Sequence, residues 1–240
     1  MERSNKCVQR KDTSASPSSL SHPVSMKHQP SLLFVSRPFS QADKRRAVAD
    51  ILEHAVPDRD FYVLVIGAVL LAVGGIFLDS ISVLIASMIV APLAYPILGL
   101  GFAITSRNGH LALQSIVMFV ASLILALGIG MASTFLLGEL RAEPVFISFT
   151  ANRFLATAIA VIAGWIAAYG LVRSKVGGAM TGIGIAVSLM PPLVITGIES
   201  AAGHFPAALN AMILFLLNVV GILLGSILVF ASMRLGASKT

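Results

Sequence analysis

Two pairs of prolines, Pro92 with Pro96 and Pro191 with Pro192, stand inside the apolar runs MIVAPLAYPILGLG and SLMPPLVITG. A proline within a helix removes a backbone hydrogen bond and clashes with the preceding turn, at a cost of roughly 3 kcal/mol. The chemistry on offer is therefore that of the backbone. Unwinding frees N–H groups at the start of one half-helix and carbonyls at the end of the other. Freed amides suit an anion and freed carbonyls a cation, and neither needs a charged side chain. We expect Ala91, Pro92, Pro96, Met190, Pro191 and Pro192 to shape a substrate site through their backbone. Tyr95, Ser188 and Thr196 are its expected polar side chains. Gln114, Asn210 and Asn218 are further candidates, although each also suits a plain helix-to-helix hydrogen bond. The competing reading is of packed, kinked helices in which Ser87, Ser188 and Thr196 re-satisfy the backbone.

The elements that must hold such a site are membrane helices. The chain is 56% hydrophobic and only 12% charged, against about 25% charged in a soluble domain; its mean hydropathy is +0.89. Six segments, near 60–78, 80–105, 111–137, 154–172, 176–198 and 207–233, are each long enough for a bilayer core that takes about 20 residues. Ten of the seventeen Lys and Arg residues precede Phe61. With the N-terminus inside, fifteen basic residues fall on the cytoplasmic side and only Arg141 and Arg153 outside, a strong positive-inside bias. Both termini are then cytoplasmic, in a multi-pass protein of the cell membrane.

Residues 1–40 read as a disordered basic tail, and their basicity as an orientation signal and a contact for anionic lipid. The start of the mature chain, Met1 or Met26, is left open. Residues 41–57 read as an amphipathic cytoplasmic helix, apolar at Ala47, Val48, Ile51 and Leu52 and ended by Pro57. It has two equal readings, one on the membrane surface and one docked on the protein's own membrane domain. A first membrane repeat covers 58–137, an external loop 138–153, a second repeat 154–233 and a cytoplasmic tail 234–240.

The halves are weakly similar. Ala86, Pro92 and Leu93 align with Ala186, Pro192 and Leu193, Gly109-His110 with Gly203-His204, and Phe119 with Phe215, with unequal gaps between them. Three spans per half make the second half enter from the opposite side. The expected fold is thus all-α: six transmembrane helices in two inverted three-helix repeats, the second helix of each broken at proline. Known transporters of that kind place the site near the midplane, between the broken helices.

The run Asp58-Arg-Asp-Phe-Tyr62, Asp79-Ser80, Ala86 to Leu93, Pro96-Ile97 and Met190-Pro-Pro-Leu193 resembles the multi-spanning prokaryotic membrane proteins of domain-of-unknown-function family 389, over about residues 57–233. This chain differs in Ala86-Ser87, where relatives usually show Gly-Ala, and in Tyr95, where a small residue is usual. The resemblance implies a polytopic membrane protein and brings no substrate.

The expected function is passage of a small solute or ion through the midplane site. A non-transporting membrane scaffold or sensor with a partner-binding N-terminal segment is the alternative. Carbonyl-coordinated Na⁺ coupling and passive passage both stay open, and the lack of a mid-membrane carboxylate argues against a central proton relay. No enzyme, cofactor or metal site is expected: His110 and His204 sit at segment ends, Cys7 is the single cysteine, and no metal or phosphate motif occurs. Nor is nucleic acid a partner, since the tail lacks interleaved aromatics. Gly178 and Gly182, and Gly221 and Gly225, have close-packing spacing, the latter pair suggesting a homo-oligomer contact. Asp79, Glu139, Glu143 and Glu199 fall on the outer face; Asp79 and Glu199 could flank an entrance or simply mark helix ends.

Overall fold

The structure, a computed structural model, describes residues 41–54, 58–138, 152–172 and 189–232. Every regular element among them is a helix: α1 (Gln41–His54), α2 (Arg59–Phe77), α3 (Ile81–Val90), α4 (Ala94–Ser106), α5 (Gly109–Leu137), α6 (Arg153–Val172), α7 (Met190–Ala201) and α8 (Phe205–Ser232). Ser188 and the loop residues Glu139, Arg141 and Glu143 lie outside the described residues, as do Gly178 and Gly182.

Helices α2, α5, α6 and α8 are each long and apolar enough to cross a bilayer. Helices α3 and α4 qualify only as a pair, bent by 47° at the break between them. The spans among the described residues therefore number four, or five with the bent pair. Of the fifth expected segment, residues 176–188 lie outside the described residues. What is described is the 12-residue α7, too short to cross by itself. Val63 and Leu70 on α2, Leu113 and Ile124 on α5, Ile162 on α6 and Leu228 on α8 are exposed. Aliphatic surface of that extent is costly in water, at roughly 25 cal/mol per Å², and at home in hydrocarbon.

Three helices end in the same turn. Asp79 has φ 48°, Arg107 φ 55° and Gly203 φ 79°, all left-handed. In each turn the next residue's N–H reaches back five positions: Ser80 to the Gly75 carbonyl at 2.8 Å, Asn108 to Ala103 at 3.0 Å and His204 to Glu199 at 2.9 Å. These bonds satisfy carbonyls that a helix end would otherwise leave open. Asp58 and Asn108 then start α2 and α5 by accepting the N–H of Phe61 at 2.8 Å and of Leu111 at 3.2 Å.

At the centre, α4 and α7 each pack against both α5 and α8. Helix α2 lies against α3, α5 and α7, and α6 runs along α8. Glycine makes the seams tight. A Cβ on Gly164 would strike the Ile222 backbone, and one on Gly225 the Val161 carbonyl; on Gly221 it would stand 2.9 Å from the Ala160 Cβ. Backbones this close gain dispersion contacts where hydrocarbon offers no hydrophobic drive. The face that Gly221 and Gly225 were expected to offer to a second copy is thus filled by α6 of the same chain.

Of the two readings for α1, the described residues show the docked one. Ala47 and Ile51, one turn apart, are buried, and α1 packs against α4 and α6. Its C-terminal His54 stacks on Tyr95, ring centroids 4.3 Å apart.

Candidate functional site

The first break follows from two missing N–H groups. Helix α3 keeps its ladder as far as Ala91, whose N–H donates to the Ser87 carbonyl at 3.1 Å. The next donor would be Pro92, which has none, so the Met88 carbonyl loses its partner. Four residues on, Pro96 does the same to the Pro92 carbonyl. That oxygen is reached instead by the Tyr95 N–H, one position early and at 3.4 Å. Two prolines spaced by four thus end one helix and start another. Ser87 turns its hydroxyl to the Leu84 carbonyl at 2.7 Å, within its own helix.

The second break is described from its far side. Helix α7 opens at Met190 with Pro191 and Pro192 in its first turn, where the N–H groups have no intrahelical acceptor and proline is harmless. Thr196 donates its hydroxyl to the Pro192 carbonyl at 2.7 Å, and Ser200 to the Thr196 carbonyl at 2.6 Å. Helix α3, which ends at the first break, touches α7, which starts at the second. Around both, packing is close and apolar: Ala91 is 6% exposed and Met190 0%, and Leu93, Ala94, Pro96, Leu189, Pro191, Pro192 and Leu193 are buried.

A single register relates the two regions. Ala94 and Met190 begin α4 and α7, Gly109 and Phe205 begin α5 and α8, and the left-handed Arg107 and Gly203 lie in the turns between; each pair is 96 residues apart. Contacts obey the same shift with partners exchanged. A Cβ on Gly101 would meet Ser226, and one on Gly197 would meet Gly130. Phe102 meets Phe230 edge to face at 5.8 Å, while Ile198 accepts the Thr134 hydroxyl at 3.2 Å. Adding 96 to Gly101 and subtracting it from Ser226 gives Gly197 and Gly130; Phe102 and Phe230 give Ile198 and Thr134 likewise. In this register Pro96, not Pro92, is the counterpart of Pro192.

The polar candidates divide. Thr196 and Asn218 are buried in the core, and Asn218 is engaged there. Gln114 is half-buried on α5. Asn210 is drawn away, accepting from the Arg153 guanidinium at 2.6 Å on an exposed surface. Tyr95 is held against α1 by His54. Ser115, fully buried, has a hydroxyl with no hydrogen-bond partner among the described residues and faces Gly99. Among the described residues no three His, Cys, Asp or Glu side chains gather as a metal site.

One ionisable residue departs from the surface placement expected of it. Glu199 is 7% exposed, and its Oε2 lies 2.8 Å from Nδ1 of His204. Its position near a segment end suggested an interfacial charge. The signal that could have found the pair is the spacing Glu-x₄-His across a left-handed glycine, which folds residue six back over residue one.

Apolar helices with lipid-ready surfaces and a bent, proline-marked span define a helical multi-pass membrane protein. The chain belongs to the family described as Domain of unknown function (DUF389), whose profile matches residues 88–224, including the starts of both α4 and α7. It is also similar to the uncharacterized protein MJ0678 of Methanocaldococcus jannaschii, 34% identical over 169 residues, or 70% of this chain and 52% of that relative. The chain thus spans about half the length of the curated relative it matches. No solved structure matches it.

Proposed function

We propose that the chain moves a small solute or ion across the cell membrane, with six spans in two inverted three-helix repeats and both termini cytoplasmic. The observation that carries this reading is the 96-residue register, in which helix starts, turns and contacts exchange between the halves. Helices related in that way, and begun at prolines, are the pattern in which transporters build a site from backbone groups. The site would use the break residues Ala91, Pro92, Pro96 and Met190 to Pro192, with Tyr95, Thr196 and Ser188 beside them. Among the described residues, most of the break residues are buried, and in this reading the path must open to work.

A second reading, a membrane scaffold without transport, has one observation in its favour. Apolar side chains pack both breaks and hydroxyls such as Ser87 and Thr196 bond within their own helices, as kinks alone would require.

Single cysteines at Ala91 and Met190, in a Cys7→Ser background, separate the two readings. A membrane-impermeant thiol reagent is added to whole cells and to inverted vesicles, with a cysteine in the 138–153 loop as labelling control. Transport predicts labelling of a break cysteine from at least one side; protection of both from both sides selects the scaffold.

A further inference from the structure

We propose that Glu199 and His204 form a proton-binding site, in which the half-exposed imidazole exchanges protons with water and hands them to the buried carboxylate. Three independent observations converge on the pair. Glu199 is the ionisable residue in the buried core: the other buried polar side chains among the described residues are Ser, Thr and Asn. Burying an unpaired carboxylate costs several kcal/mol, so its charge must be matched by a partner or removed by a proton. The His204 ring supplies the partner at 2.8 Å, and that side chain is 52% exposed against 10% for Glu199. One member is half-exposed and the other faces the protein, which is the geometry of a relay rather than of a surface ion pair.

The backbone holds the pair in place. The His204 N–H donates to the Glu199 carbonyl at 2.9 Å, and Gly203, at φ 79°, supplies the left-handed turn that brings residue 204 over residue 199. The corresponding turn of the first half closes with the same backbone bond and a similar left-handed residue, but holds Ala103 and Asn108 in those places. A turn of this shape closes without ionisable groups at these two places. Glu199 and His204 are chemistry added to one end of the molecule.

Few other charges bear on the pair. Helix α7 has no other ionisable residue, and α3 and α8 have none. Helix α5 carries only His110, in its first turn, whereas α7 packs against its Gly130 and Thr134, about 30 Å along the helix. Helix α2 brings Arg59, Asp60 and Tyr62 at its start, with Asp79 in the turn after it. Among the described residues, the cation beside the start of α8 is Arg153, which donates to Asn210.

The proposal stands on the geometry of the pair and does not rest on transport. Its test is infrared difference spectroscopy of the purified full chain while pH is lowered. We expect a protonated-carboxyl C=O stretch to grow in, to disappear in Glu199→Gln, and to shift its midpoint in His204→Asn. The Asn variant copies the residue at the corresponding turn of the first half, so it keeps a folded reference should Glu199→Gln fail to fold. No such band in the native chain, or one unchanged in both variants, overturns the site. An identical midpoint in His204→Asn overturns the relay. Proton flux into vesicles is a separate measurement: its absence beside a titrating band would count against transport and leave the proton site standing.

Discussion

Phe119 and Phe215 stack on one another, ring centroids 6.0 Å apart and planes 8° from parallel. They are also 96 residues apart, so each is the other's counterpart in the register that relates α4–α5 to α7–α8. A residue that touches its own counterpart lies on the axis of the exchange. In the proposed inverted-repeat arrangement, the stack marks the axis about which α5 and α8 swap roles.

The stack should behave as a coupled pair. In a double-mutant cycle with Phe119→Ala and Phe215→Ala, unfolding in detergent should give a coupling of about 0.5–1.5 kcal/mol. The buried Phe215 should cost more by itself, about 3–5 kcal/mol, than the partly exposed Phe119. Additive single effects would remove the pair from the packing core.

Gly101 and Gly197 are counterparts with different neighbours, and they predict different rescues. A methyl on Gly101 meets the Ser226 hydroxyl, whereas one on Gly197 stands 2.7 Å from the Leu127 carbonyl. Both alanine variants should lose about 1–3 kcal/mol in thermal unfolding. Adding Ser226→Gly should restore much of the loss in Gly101→Ala. No side-chain deletion on α5 should restore Gly197→Ala, because the obstacle is backbone.

How far the sequence led can be seen from the same residues. Hydropathy and the prolines located the apolar segments, the end of α3 and the start of α7, because both are local properties. The pairing of halves was less visible. Identical letters favour Pro92 with Pro192 and Gly109 with Gly203, which need different gaps, whereas the helices align Pro96 with Pro192 and Arg107 with Gly203. Register is held by turn geometry and by which face is packed, and neither requires the same residue twice. The burial of Glu199 was hidden for a related reason: a charge near a segment end looks interfacial until the neighbouring helices are placed around it. The docking of α1 likewise depended on a partner surface, since lipid and protein reward the same apolar face.

Ser115 offers a test by subtraction. Its hydroxyl is buried and without a partner among the described residues, so Ser115→Ala removes a desolvated polar group and keeps the fit against Gly99. Thermal unfolding should show a gain, or at most no change, where a bonded serine would lose about 1 kcal/mol. A clear loss would mean that the hydroxyl has a partner in the membrane.

The stacking of His54 on Tyr95 predicts how α1 is held. Tyr95→Ala should loosen α1 and expose its exposed arginines, Arg45 and Arg46, to faster trypsin cleavage, several-fold for a contact worth about 1 kcal/mol. Tyr95→Phe keeps the ring and should cleave at the native rate. Equal rates in all three proteins would assign the docking of α1 to Ala47 and Ile51 alone.

The glycine seam between α6 and α8 limits what the membrane domain can do mechanically. At the positions of α5 that correspond to Gly221 and Gly225 stand Leu125 and Ile129, whose bulk keeps any neighbouring backbone at a distance. The glycine seam is therefore a feature of α8 that the corresponding positions of α5 do not share. Helices α6 and α8, pressed carbonyl to glycine, must travel as a single beam. Helix α2 packs against α5 with no glycine of that kind at the corresponding positions. Any rocking motion in the proposed transporter would carry α6 and α8 together as its stiff arm.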